Sequence, residues 1–197
     1  MEKKSALVLL TNGSEEMEVV ITVDVLRRAE INVTVAGVDL VPSSGNLGPA
    51  HCSRGVQIQP DINFSDLDST KRRGYDAYIV PGGMAGAQSL AANAQVQTLL
   101  SGAFRDGKFV CAICAGPLAI KAANIAKGKT LTSHPSVQQQ LEGDYNYSES
   151  RVVVDDNLVT SRGPGTAFLF ALTIVKLLCG QKVVDNISPP MLLPPSL

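Results

Sequence analysis

The sequence predicts an α/β fold whose mainly parallel sheet is covered by helices on both faces, with a small antiparallel excursion. Short β-branched apolar runs alternate with stretches of helical periodicity, and the runs end in turns rich in Gly, Pro or Asn. One adjacent pair of runs, Arg151–Val154 and Leu158–Ser161, flanks Asp155-Asp156-Asn157 and reads as an antiparallel hairpin. No break in composition divides the 197 residues, so a single domain over 1–197 is expected.

Ala6–Thr11 is an apolar run of buried-strand type, followed by the turn Asn12-Gly13-Ser14. Ser14 is placed to cap a helix running to about Arg28, with Glu15 and Glu16 suiting its positive end. Asn32–Gly37 is the second strand. The stretch 38–50, rich in Pro, Gly, Ser and Asn, reads as a long loop. Val56–Gln59 suits a short strand or half a hairpin. Asp76–Val80 is a clearer buried strand that ends in Pro81-Gly82-Gly83, where backbone must approach closely. Ala87–Phe104 is helical in two pieces, and Lys108–Ile113 is the next strand. Pro117 fits the first turn of a helix to about Ala123. Thr130–Ser133 delivers His134-Pro135, Gly163–Cys179 is a long helix apolar on most faces, and the proline-rich tail 188–197 lies along the surface.

Charge is balanced, 17 Lys and Arg against 18 Asp and Glu, which gives no strong nucleic-acid or membrane signal and favours a small-molecule or protein partner. The apolar run near the N-terminus is too short for a secretory core or a membrane span. A cytoplasmic location is therefore expected, with the nucleus and mitochondria left open. Asn-x-Ser/Thr triplets at Asn12, Asn32, Asn63, Asn146 and Asn186 read as chance matches without an export signal. The four cysteines, at 52, 111, 114 and 179, are too few and irregular for a disulfide framework.

In sheets of this class ligands gather at the carboxyl ends of strands. Gly13–Glu18, Pro81–Gly83 and Cys114–Gly116 share that position. Ala112-Ile113-Cys114-Ala115-Gly116 is the nucleophile-elbow pattern with Cys in place of Ser, a strained turn whose neighbours must be small. A helix N-terminus beside the sulfur favours thiolate, so a lowered pKa is expected for Cys114. The amides of Ala115 and Gly83, in the Gly82-Gly83 turn, are candidates for an anion hole. The alternative for Cys114 is a small buried hydrophobe. Glu18 is either a solvated helix carboxylate or a partly buried acid that stays protonated beside the sulfur. His134 is either a structural histidine or a base lining the site.

Cys111 and Cys114 form a C-x-x-C, but Cys111 lies within the strand and is expected on its opposite face, which disfavours a redox dithiol. Two histidines supply too few ligands for zinc, and no metal or other cofactor is expected. Ser161-Arg162-Gly163-Pro164-Gly165 reads as the start of the last helix more than as an anion site.

Five segments, Glu15-Glu16-Met17-Glu18, Val80-Pro81-Gly82-Gly83, Ala112–Pro117, Thr132-Ser133-His134-Pro135 and Thr160–Thr166, resemble in order and spacing the parkinsonism-associated deglycase group of the ThiJ/PfpI superfamily. The resemblance covers roughly residues 4 to 187. It implies a flavodoxin-like three-layer sandwich, a homodimer, and an oxidation-sensitive Cys114. It further implies Glu18 as a protonated carboxyl on the sulfur, His134 as a nearby residue, Gly82, Gly83 and Ala115 at the anion hole, and Arg54 reaching the neighbouring subunit's site. Implied activities are cofactor-independent conversion of methylglyoxal-type 2-oxoaldehydes to hydroxy acids and removal of early adducts on thiols or amines, of hydro-lyase or hydrolase type. A rival is a redox sensor or chaperone whose cysteine becomes sulfinate and which acts by binding partners. A cysteine protease or amidase is weaker, lacking an assured imidazole base and an open cleft. Three departures from the group stand out: the longer 38–50 loop, Cys111 where Ala is usual, and the proline-rich tail.

Overall fold

Residues 3–40 and 47–194 are described by the computed structural model. In chain order they form β1 (Ser5–Leu10), α1 (Glu16–Arg28), β2 (Asn32–Gly37), β3 (Ala50–His51), β4 (Gln57–Ile58), β5 (Ile62–Asn63), α2 (Ser69–Arg73), β6 (Ala77–Val80), α3 (Met84–Ala92) and α4 (Ala94–Arg105). Then follow β7 (Phe109–Ile113), α5 (Pro117–Ala122), β8 (Thr130–Leu131), α6 (Pro135–Leu141), β9 (Asn146–Tyr147), β10 (Val152–Asp155), β11 (Leu158–Ser161), α7 (Ala167–Cys179) and α8 (Gln181–Ile187).

The main sheet has the order β10-β11-β7-β6-β1-β2-β5. Neighbours are parallel except β10 against β11, the expected hairpin. Side-chain alternation divides the core into two layers. Leu7, Leu9, Val110 and Ala112 face α3 to α6, where Leu90, Leu100, Ile120 and Leu141 complete one cluster. Ala6, Val8, Leu10, Cys111 and Ile113 face α1 and α7, packing with Val25, Leu26, Phe170 and Ile174. The result is a flavodoxin-like three-layer sandwich. The chain leaves β1 for β2 on one side and later returns to lay β6 on the other, so the switch point lies between β1 and β6.

Several local expectations change. Glu15, not Ser14, caps α1, its Oε1 accepting from the Met17 amide, while Ser14 Oγ accepts from the Thr11 amide inside the turn. Val56–Gln59 contributes β4, antiparallel to β3, as a separate hairpin. The two-piece helix breaks at Asn93, whose Oδ1 caps α4 through the Gln95 and Val96 amides. The last long helix begins with a 3-10 turn at Pro164–Thr166 and becomes α-helical from Ala167. Cys111 does not lie opposite Cys114. Both pack toward the α1/α7 layer, because the elbow reverses the strand's alternation. The short elements β5, α2, α6, β9 and α8 were not expected. Residues 41–46 of the 38–50 loop and 195–197 of the tail lie outside the described residues, and within the tail Pro189–Met191 forms a 3-10 turn. Among the described residues no helix is long and apolar enough to cross a membrane.

Candidate active site

Three strand ends meet at the switch point, and backbone hydrogen bonds lock them together. The Glu15 amide donates to Gly82 O at 3.0 Å, and the Gly82 amide donates to Glu18 Oε2 at 2.7 Å, stitching the β6 turn to the start of α1. At Gly82 an added Cβ would lie 2.5 Å from Cys114 Cβ and 2.7 Å from Glu18 Oε2. Glycine is required there because the cysteine and the carboxylate occupy its side-chain space. Gly83 has φ +79°, and a Cβ on it would meet Gly13 O at 2.1 Å, so its place in the turn is closed to other residues.

Cys114 itself has φ 62°, the left-handed region that a residue with a Cβ adopts only at a cost. Its backbone is clamped on both sides. Its N–H donates to Ser161 O and its C=O accepts from the His134 N–H, each at 2.9 Å. The strained elbow therefore exists as the sequence pattern predicts, and the half-buried sulfur sits beside the Glu18 carboxyl and the amides of Gly83 and Ala115.

The electrostatics differ from expectation. Burial pushes Glu18 up to about 7, aided by the charge of Glu15 and opposed by the Gly82 amide and the Cys114 contact. The Cys114 thiol is pushed up to about 12, first by burial and then by the negative charge of Glu18, against the pull of the Gly83 and Ala115 amides. The expected acidification thus fails: desolvation and a neighbouring carboxylate outweigh two amides and the end of a six-residue helix. The two groups titrate as a unit, and each holds its proton while the other is charged. Glu18 Oε1 is buried without a hydrogen-bond partner among the described residues.

The other expected residues divide. Gly83 and Ala115 aim their amides at the sulfur, whereas the Gly82 amide is taken by Glu18, so Gly82 holds the acid and does not serve the anion hole. His134 reaches the site through its backbone. Its exposed ring caps α6, with Nδ1 bonded to Ser136 Oγ and the Ser136 amide, and makes no hydrogen bond to Cys114. Arg54 is exposed, and among the described residues its guanidinium donates only to Ser53 O, so it does not enter its own chain's site.

Ser53 was not anticipated. Its hydroxyl lies 2.7 Å from Glu15 Oε2 and 2.9 Å from Glu16 Oε2, tying the loop between β3 and β4 to the cap of α1. Nothing local marks Ser53, because its partners are 37 and 38 residues away. Cys52 beside it is buried and pushed up to about 11 by desolvation and then by Glu16 and Glu15.

A flavodoxin-like sandwich with a cysteine at a strained elbow, a raised carboxyl beside the sulfur and two convergent amides defines a class of α/β proteins with a cysteine elbow. The chain belongs to the DJ-1/PfpI family, whose pattern matches residues 4–177. It is 46% identical over 195 residues to the Parkinson disease protein 7 homolog of Danio rerio, covering 98% of this chain and 99% of that protein. It is 37% identical over 193 residues to a Caenorhabditis elegans protein named glutathione-independent glyoxalase DJR-1.2, covering 97% of each. Among solved structures, Drosophila melanogaster DJ-1beta superposes with a TM-score of 0.90 at 42% identity, covering 98% of this chain and all of that one.

Proposed function

We propose that the chain is a cysteine-dependent, cofactor-independent glyoxalase of the cytoplasm, acting on methylglyoxal-type 2-oxoaldehydes and on their early adducts with thiols and amines. The observation that carries this reading is the Glu18–Cys114 pair facing the Gly83 and Ala115 amides. The glyoxalase name of the C. elegans relative supports it.

A thiol this hard to ionise must lose its proton as it attacks. Glu18, partly ionised near pH 7, takes that proton while Sγ bonds to the aldehyde carbon and the carbonyl electron pair moves onto oxygen. The Gly83 and Ala115 amides hold the resulting oxyanion until Glu18 returns the proton to it. The Glu18 carboxylate then removes the hydrogen of that carbon and delivers it to the neighbouring ketone carbon. As the hydroxyl proton of the hemithioacetal passes to the ketone oxygen, the aldehyde carbon is oxidised to a thioester and the ketone carbon is reduced to an alcohol. Water cleaves the C–S bond, releasing a 2-hydroxy acid and the thiol. One water is consumed and no external oxidant is needed.

The test is lactate formation from methylglyoxal. Cys114→Ala should abolish it, and Glu18→Gln should lower it by roughly a hundredfold or more. A Glu18→Gln protein, folded by circular dichroism, that made lactate at the parent rate would refute the proton shuttle.

The unpartnered Glu18 Oε1 favours a second reading, a redox sensor. Two equivalents of peroxide would convert Sγ to sulfinate, whose oxygens would accept hydrogen bonds from protonated Glu18 and the two amides. Selective gain of two oxygens at Cys114 by mass spectrometry, with negligible methylglyoxal turnover, would decide for it.

The reading includes a homodimer. Met17 and Val20 are exposed on α1, and exposed Val56 is held beside them by its amide's bond to Glu16 Oε1. Covering this patch would bring Arg54 toward a neighbouring subunit's site.

A further inference from the structure

Away from Cys114, α2 and α4 enclose a cavity of about 490 Å³ lined by Arg72, Arg73, Ser69, Gln95, Thr98 and apolar Ala94 and Leu99. Neither arginine has a carboxylate partner among the described residues. Arg72 lies 4.2 Å over the Phe64 ring, and its terminal nitrogens donate to Gln95 Oε1 and Ser65 O, both at 3.3 Å. Its Nε is buried and unpartnered. The nearby acids are engaged elsewhere: Asp68 caps α2 and pairs with Lys71, and Asp66 accepts from Asn63 and Ser65. Among the described residues Arg73 has no hydrogen-bond or ion-pair partner, and it lies across α4 at Gly102, where an added Cβ would come within 3.1 Å of its Nη2. Glycine there leaves the guanidinium free to lie close against the helix.

The rim formed by Ala94 and Gln95 is shared with a second cavity of about 810 Å³. Its lining is hydrogen-bonding and uncharged apart from Asp39, with Asn12 and Ser89 among the polar groups. Together they form one groove around the first turn of α4, cationic at one end and suited to hydroxyl groups at the other.

We propose that this groove binds a phosphorylated polyol. The phosphate sits between Arg72 and Arg73, supplying acceptor oxygens to guanidinium N–H groups that have none. The hydroxyls point past Gln95 toward Asn12, Ser89 and Asp39. Asp39 fixes the direction, because its carboxylate accepts from hydroxyls and repels phosphate. The site is independent of the Cys114 chemistry.

Glucose 1-phosphate is the probe, since it has no free aldehyde for Cys114 to attack. Calorimetric titration of the full chain, with amide NMR shifts, compares it with inorganic phosphate and methyl glucoside. Glucose 1-phosphate is expected to bind at least tenfold more tightly than either, moving the amides of Arg73, Gln95 and Thr98. Arg73→Gln should weaken binding roughly tenfold, the loss of a charge-assisted pair, with the alkylation rate of Cys114 unchanged. No shifts in these amides at millimolar probe, or shifts undiminished in Arg73→Gln, would overturn the site. Inorganic phosphate binding as tightly as the sugar phosphate would overturn the polyol assignment.

Discussion

Glu18 carries a pH dependence with a definite sign. Its folded value, about 7, stands above the ordinary 4.5. Between these values the unfolded chain has released the proton and the native chain still holds it. Stability contributed by the protonated acid is therefore complete below about 4.5 and is lost as pH rises toward about 7. The loss amounts to on the order of 3 kcal/mol at most. Glu18→Gln should flatten this slope: in urea unfolding, the mutant's stability relative to wild type should be greater at pH 8 than at pH 4.5. Equal differences at the two pH values would show that Glu18 is solvated. The elbow was legible in the sequence because its requirement is local, small residues around Cys114 and a turn after a strand. The thiol's acidity was not, because it is set first by how deeply the folded chain buries the sulfur and only then by the charge of Glu18.

Asn93 marks the division between α3 and α4, the two pieces that the sequence predicts without placing the break between them. Its side chain satisfies two amides of α4 and donates to Asp39 Oδ2 at 2.8 Å. Asn93→Ala should cost about 1 kcal/mol, the typical worth of an N-cap, read as a lower midpoint in denaturant with unchanged slope. The long helices and buried strands were readable because each has its own apolar periodicity. The short elements lacked one. β5 exists because Asp61 Oδ2 accepts from the Val35 amide at 2.8 Å and from Arg27 at 3.0 Å, drawing the following residues alongside β2. In α6 the signal was present, Pro135 in the first turn after the capping His134, but seven residues offered too little pattern to extend it. Ser53 belongs with these: its meaning comes from α1, not from its neighbours in sequence.

In the proposed dimer, association rests on the surface that the fold leaves apolar around α1. Met17, Val20 and Val56 sit beside the loop that carries Arg54, so dimer formation and completion of the site are one event in the proposed assembly. Val20→Glu should shift sedimentation toward monomer and lower methylglyoxal turnover in parallel. A monomeric mutant with full turnover would separate the interface from the chemistry and remove Arg54 from it. The sheet order was predictable in kind, parallel with one antiparallel edge, because strand, helix and strand alternate. The placement of the β3–β4 hairpin off the main sheet was not, since its anchors are the His51 bonds to Asn12 and Gly13.

The clamp on Cys114 reaches three distant stretches of chain: Ser161 holds its N–H, His134 holds its C=O, and Glu18 stands over the sulfur. Aim and reluctance to ionise are thus acquired together, only when those stretches have docked. A molecule whose edge hairpin has opened carries an ordinary cysteine, solvated and far easier to deprotonate. Indiscriminate electrophiles should therefore mark the damaged copies first, while under the proposed function intact ones reserve their sulfur for a guest that fits between the carboxyl and the amides.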